Sequence, residues 1–175
     1  MADTPPKAST PEELAERLAD PTVIYVPTPD SICRVMLMMA AVGPDDVVYD
    51  LGCGDGRIPI LAAQDFGARA VGFDLDIRLV EEARAKAQAA GVSHLATFSN
   101  QDIFEADFSD ATVITLYLFP VIQERLKPKL LALKPGTRIV SHAFPIGDWK
   151  PVGTLWEEGR LLNIWIVPDL GQSAP

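Results

Sequence analysis

Hydrophobic and polar positions change their period along the chain near residue 45. Before that point, apolar residues recur at the three- and four-residue spacing of a helix, at Ile32, Val35, Met36 and Met39. From residue 46 onward, short apolar runs that predict strands alternate with longer stretches of helical period. This alternation is typical of a mostly parallel sheet with helices packed on both faces.

The predicted elements after residue 46 are short and closely spaced. Strands are predicted at 47–50, 68–74, 94–100, 112–119 and 137–144, and helices at 56–67, 77–91 and 121–133. The stretch 153–169 differs, because two strand patterns flank a Glu-Gly turn with no helix between them. We therefore predict an α/β fold of about seven strands that ends in an antiparallel hairpin.

Capping patterns mark two helices in the N-terminal part of the chain. Thr10 and Glu13 form a capping box, which predicts a short helix to about Ala19. The prolines of the next ten residues predict an extended segment. Thr28 followed by Pro29 then predicts a second helix, with Thr28 as its cap and Pro29 as its first residue.

The net charge of the chain indicates which kinds of macromolecule it can bind. The chain has 15 basic and 24 acidic residues, and its net charge is −9. Nucleic-acid binding needs a basic face, so we expect no nucleic acid partner, whereas a basic protein would be attracted. Cys33 and Cys53 have no metal-ligand spacing, and we expect neither a metal site nor a disulfide.

We also expect a cytoplasmic protein with no transmembrane segment, unless a leader precedes the sequence given. The longest apolar run, 113–122, is too short to span a bilayer and contains a proline. Residues 1–11 lack the apolar stretch of a signal peptide. The sequence makes no prediction of oligomeric state.

Three glycines at alternate positions, Gly52, Gly54 and Gly56, follow the first predicted strand. In a doubly wound sheet, ligands bind beyond the carboxyl ends of the strands, and glycines let them approach the main chain. A dinucleotide-binding loop has the spacing G-x-G-x-x-G. Here the third glycine comes one residue early and Arg57 stands in its place, where we expect a structural ion pair.

Acidic side chains lie at or just after the ends of the first three predicted strands. The charge of Asp50 would repel a diphosphate and attract a cation. Asp74 lies where a carboxylate accepts both hydroxyls of a ribose, and Asp102 with Ile103 suits a purine. Together they describe a cationic adenosine without phosphates, which is the form of S-adenosylmethionine. Each aspartate also has a structural alternative, namely ordering the loop, capping a helix or making a turn.

On these motifs the chain resembles the class I, seven-β-strand methyltransferases that depend on S-adenosylmethionine. The matching motifs are VVYDLGCGDG (47–56), VGFD (71–74), QDIF (101–104) and the hairpin ending. A narrower set, YVPTP (25–29), GDGRI (54–58), TLYLFP (115–120) and SHAFPIGDW (141–149), is similar to one subgroup. That subgroup comprises the protein-lysine methyltransferases of the ATP synthase c-subunit and adenine nucleotide translocase type, with archaeal and bacterial relatives.

The resemblance implies a Rossmann-like doubly wound sheet, S-adenosylmethionine as cofactor and protein lysines as acceptors. It implies a cofactor site formed by Tyr25, Val26, Pro27, Thr28, Asp50, Gly52, Gly54, Gly56, Asp74, Leu75, Asp102 and Ile103. Residues 1–44 would be a tail and helices that cover this site, and residues 45–175 the methyltransferase domain.

The resemblance also implies that the segment around Tyr117 faces the methyl group. His142, at the end of the fifth predicted strand, is either a proton acceptor or a structural histidine. Phe144 and Trp149 either line the acceptor channel or pack the sheet edge.

Two other functions stay open, a small-molecule methyltransferase and a non-catalytic S-adenosylmethionine-binding protein. No Asn/Asp-Pro-Pro-Tyr motif follows the fourth predicted strand, which argues against methylation of nucleic-acid bases. No inserted substrate domain interrupts the predicted elements either. An open site of this kind suits a lysine presented on a larger protein surface.

Overall fold

The computed structural model describes residues 25–169, and the helix predicted from Thr10 to Ala19 lies outside them. The strands are β1 Val47–Leu51, β2 Arg69–Asp74, β3 Ala96–Asn100, β4 Val113–Leu116, β5 Arg138–His142, β6 Gly153–Glu157 and β7 Arg160–Ile166. The helices of this part are α1 Asp30–Met39, α2 Arg57–Phe66, α3 Ile77–Ala89 and α4 Pro120–Leu131.

The seven strands form one sheet in the order β3-β2-β1-β4-β5-β7-β6. The first five strands are parallel, whereas β7 runs antiparallel to both β5 and β6. The predicted α/β fold with a C-terminal hairpin is therefore confirmed. The chain order reverses between β1 and β4, and ligands of doubly wound sheets bind at this kind of reversal.

Alternate residues of β1 face opposite sides of the sheet. Tyr49 and Leu51 belong to a core cluster that includes Leu126 and Leu130 of α4. Val48 belongs to a second cluster, with residues of α1 and α2. A third cluster joins α3 to α2 and β3. Both faces of the sheet are thus covered, as the strand and helix pattern predicts.

The start of α1 differs from the prediction. Pro29 occupies the cap position and α1 begins at Asp30, with no side-chain cap bond. The prediction of Thr28 as the cap is wrong, because its hydroxyl lies 3.0 Å from Nδ1 of His142 instead. The predicted stop of α3 agrees better, since Gly91 follows the helix with a φ of 73°.

Two parallel strands end earlier than predicted. β4 ends at Leu116, which pairs with Leu51 at the end of β1 and with Ser141, and β5 ends one residue later at His142. Tyr117 and Phe144, which the pattern places in strands, therefore lie beyond the sheet. Within residues 25–169, no helix is long and apolar enough to cross a bilayer.

Candidate active site

A cleft of about 1010 Å³ lies at the carboxyl ends of the central strands. It lies beside the reversal between β1 and β4, between the segment before α1 and the loops that follow β2, β3, β4 and β5. Eleven of the predicted site residues line it: Tyr25, Val26, Pro27, Thr28, Asp50, Gly52, Asp74, Leu75, Asp102, Ile103 and Tyr117. Gly54, Gly56 and His142 are not among the lining residues.

Asp50 is a buried carboxyl group at the reversal point of the sheet. It pairs with Thr115 in the β1–β4 register, and the Thr115 hydroxyl donates to its Oδ1 at 2.7 Å. Burial raises the pKa of Asp50 to about 7, and the charge of Asp74 acts in the same direction. No salt bridge among the described residues neutralises Asp50. A cationic ligand in the cleft would therefore be attracted to it.

Asp74 joins the end of β2 to the glycine loop. Its Oδ2 accepts a hydrogen bond of 2.8 Å from the Gly54 amide, and its Oδ1 accepts one of 2.9 Å from the Asp76 amide. Carboxylate oxygens have about four acceptor positions in total, so capacity remains for a ligand diol. The alternative role for Asp74 is a helix cap. The cap of α3 is Asp76 instead, because its side chain accepts a hydrogen bond from the Arg78 amide.

Asp102 begins a tight turn at the opposite wall. Its Oδ1 accepts from the Phe104 amide at 2.9 Å, so the turn foreseen as its structural alternative is present. Lys129 of α4 holds this turn from outside. Its Nζ donates to the carbonyl oxygens of Phe104 at 3.0 Å and Ile103 at 3.5 Å, and also to that of Ala106.

Apart from an ion pair of Arg57, the charged network beside the glycine loop was not predicted. Arg57 forms the expected ion pair, which is to Asp55 at 2.9 Å, and Lys86 contacts the same carboxylate at 2.6 Å. Burial raises the pKa of Asp55, but hydrogen bonds from Arg57 and Lys86 together hold it well below its usual range. Arg57 also donates to the carbonyl of Thr28 at 3.0 Å, which fixes the segment before α1 over the loop.

Two glycines of the loop serve close packing. A Cβ on Gly54 would lie 2.2 Å from the ring of Tyr25, which covers the loop. A Cβ on Gly56 would lie 2.6 Å from both Ala83 and Phe98, so its bare backbone lets α2 start against α3 and β3. Their contact with a cofactor stays a prediction.

Aromatic rings form the remaining wall of the cleft. Tyr117 and Phe144 are stacked with centroids 6.3 Å apart, and Phe119 lies 6.4 Å from Phe144. Trp149 instead packs on Trp165, whose indole N–H donates to the Trp149 carbonyl at 2.9 Å. Of the two predicted edge aromatics, Phe144 therefore lines the cleft and Trp149 packs the sheet.

His142 lies behind this aromatic wall. Its ring packs at a tilt of 31° against Tyr117 with centroids 4.0 Å apart, and its Nδ1 contacts Thr28. Burial, and then the charge of Arg160, lower the pKa of His142 to about 4. The imidazole is therefore neutral near pH 7. It does not line the cleft itself, but it contacts Thr28 and Tyr117, which do.

Known proteins resemble this chain along most of its length. The model of the ANTKMT methyltransferase domain matches residues 50–153. A protein-lysine N-methyltransferase of Saccharolobus islandicus (strain REY15A) is 50% identical over 145 residues, which are 82% of this chain and 90% of that protein. The adenine nucleotide translocase lysine N-methyltransferase of Mus musculus is 39% identical over 112 residues, 63% of this chain. The match spans about half, 48%, of the mouse protein.

A solved structure is also similar. It is described as an RNA methyltransferase from Salinibacter ruber in complex with S-adenosyl-L-homocysteine. Its TM-score is 0.81 at 48% sequence identity, and the match covers 86% of this chain and 97% of that chain. The names of these relatives agree on methyl transfer and differ in the acceptor.

Proposed function

The chain belongs to the ANTKMT methyltransferase domain family, and on that basis we propose that it is an S-adenosylmethionine-dependent protein-lysine N-methyltransferase. The observation that carries the proposal is Asp50, a buried carboxyl group beside a bare glycine loop with no cation to pair it among residues 25–169. S-adenosylmethionine has both an ammonium and a sulfonium group. A bound positive charge would offset the cost of ionising Asp50.

The other cleft residues fit the rest of this cofactor. Asp74 would accept the ribose hydroxyls, and the turn at Asp102 and Ile103 would hold and cover the adenine. Tyr25 and Thr28 would close over the glycine loop, since Arg57 ties their segment to it. When bound, the cofactor supplies an electrophilic methyl group.

The protein's own residues align the acceptor and exclude water. A lysine side chain would enter along the aromatic wall of Tyr117, Phe119 and Phe144. Its ammonium group must lose a proton before it acts as a nucleophile, and apolar surroundings favour this by lowering its pKa. His142, with a pKa of about 4, is a weak base for this task, so we infer that desolvation lowers the pKa of the lysine and that its proton passes to solvent water.

RNA methylation is the second candidate, because the Salinibacter ruber relative is described as an RNA methyltransferase. The net charge of −9 argues against it, since RNA binding releases counterions through contacts with basic residues. We therefore propose that nucleic acid is not a partner.

Methyl-labelled S-adenosylmethionine tests the acceptor directly. The purified chain is incubated separately with the protein, RNA and small-molecule fractions of one cell lysate. We expect label in protein, with methylated lysine found by mass spectrometry after digestion. Label confined to RNA or to small molecules would contradict the proposal, and cofactor binding without any label would indicate a non-catalytic protein.

We further propose that residues 1–44 cover the cofactor site of a methyltransferase domain at 45–175. The position of Tyr25 and Thr28 at the cleft supports this. A variant that starts at residue 30 should bind S-adenosylmethionine more weakly in calorimetry. The free thiols of Cys33 and Cys53 support a reducing compartment such as the cytoplasm, which cell fractionation would test.

A further inference from the structure

Gln123 is a fully buried polar residue on the inner side of α4. Buried amides are costly unless their hydrogen bonds are made. Its Nε2 donates to the carbonyl of Leu118 at 3.0 Å and to that of Phe144 at 3.3 Å, and its Oε1 lies 3.0 Å from the Ser141 hydroxyl. Nε2 therefore has two acceptors, whereas the one hydroxyl proton of Ser141 is shared between Oε1 and the carbonyl of Phe144.

The two carbonyls bound by Gln123 belong to different loops. Leu118 follows β4 and Phe144 follows β5, and both lie beyond the last paired residues of their strands. Backbone groups that leave a sheet need other partners when they are buried. Gln123 donates to one carbonyl in each loop and so joins the two loops.

These loops carry the aromatic wall of the cleft. Leu118 lies between Tyr117 and Phe119 in the chain, and Phe144 stacks on Tyr117. Ser141 strengthens the link, because its hydroxyl also lies 2.7 Å from the carbonyl of Phe144. Movement of Gln123 would therefore shift rings from both loops together.

The same helix holds the opposite end of the cleft through a separate residue. Lys129 bonds the carbonyls of the turn that follows Asp102, and Arg125 stacks over the Phe104 ring at 3.8 Å. Gln123 and Lys129 thus act on different walls. Substitutions of the two residues should have separable effects.

We propose that Gln123 is a positioning residue for the methyl acceptor, acting by clamping the loops after β4 and β5. This inference rests on the proposed methyltransferase function. Gln123→Met keeps the length of the side chain and removes its hydrogen bonds. Because small misplacements of reacting groups are costly, the initial rate of label transfer into lysate protein should fall roughly 10- to 100-fold.

Two further variants make the test specific. Binding of S-adenosylmethionine to Gln123→Met, measured by calorimetry, should change less than about twofold, whereas Lys129→Met should weaken it by roughly tenfold. Leu130→Ala, a buried apolar truncation on the same helix, controls for lost stability. A rate loss in Gln123→Met no larger than that in Leu130→Ala at equal folded fraction would overturn the clamp. An equal loss of cofactor affinity would overturn it as well.

Amide hydrogen exchange tests the clamp independently of methyl transfer. Exchange in segments 117–120 and 143–145 should quicken roughly tenfold in Gln123→Met, with little change in segment 102–106. Unchanged exchange in both segments would overturn the inference. If the parent chain labels no protein, the proposed function fails, and the exchange result still decides whether Gln123 clamps the two loops.

Discussion

The amide N–H of Gly54 and Oδ2 of Asp74 lie 2.8 Å apart, so the end of β2 and the glycine loop share a carboxylate. Hydrogen bonds to charged groups contribute about 1.5–3 kcal/mol each. We expect Asp74→Ala to raise the Kd for S-adenosylmethionine roughly 10- to 100-fold in calorimetry. Asp65→Ala is a suitable control, because that carboxylate pairs with Arg34 at the surface. Unchanged affinity in Asp74→Ala would contradict the assignment of Asp74 to the ribose.

Asp50 should make the unfolding free energy depend on pH. Its folded pKa of about 7 lies above the ordinary value of about 3.9, so the folded state holds a proton that the unfolded state lacks between these values. The stability contributed by protonated Asp50 is therefore lost as the pH rises through 7. We expect Asp50→Asn to be more stable than the parent at pH 8 and to bind S-adenosylmethionine more weakly. Urea denaturation at pH 5 and pH 8 checks the first effect, and equal stability at pH 8 would count against it.

His142 should make the unfolding free energy depend on pH with the opposite sign. Its folded pKa of about 4 lies below the ordinary value of about 6.5, so between these values the unfolded state binds the extra proton. Its contribution to stability is complete above 6.5 and is lost as the pH falls toward 4.

The two effects oppose each other between about pH 4 and 6.5. Denaturation series should show stability rising with pH in Asp50→Asn and falling with pH in His142→Gln. Identical slopes in the two variants would mean that one of these groups is not perturbed as described.

Gly54 and Tyr25 should be energetically coupled. Gly54 has a φ of 53°, and a left-handed backbone costs a residue with a Cβ about 1–2 kcal/mol. The new methyl group would also displace the Tyr25 ring. Gly54→Ala should therefore destabilise the parent more than it destabilises Tyr25→Ala, by about 1 kcal/mol or more in a double-mutant cycle. Strict additivity would show that Tyr25 does not cover the loop in solution.

The period of the apolar residues was sufficient to predict the fold, because buried parallel strands need continuous apolar runs and their helices need an apolar face. It predicted the strand ends wrongly where apolar residues line the cleft instead of the core. Tyr117 and Phe144 extend the predicted strands, yet they face the cleft. A pattern of apolar residues alone does not distinguish a position in the core from one that lines a cleft.

Contacts between distant residues explain the other differences. Thr28 has a good local sequence for a cap, but its hydroxyl meets His142, 114 positions later. Asp55 meets Lys86, 31 positions later. Gln123 looks like any polar helix residue until β4 and β5 are placed beside it. Rules based on local sequence consider only residues that are close in the chain. The partners of these residues are far away in the chain, so such rules miss them.

The reversal of strand order between β1 and β4 has a consequence for ligand entry. It places Asp50 where the group is buried and still half protonated near neutrality. A cation bound beside Asp50 would favour the ionised carboxylate, so binding of the methyl donor would release the fraction of a proton that Asp50 still holds. Below about pH 7 protonation of Asp50 would oppose binding of the cation, so we expect affinity for the methyl donor to fall as the pH is lowered.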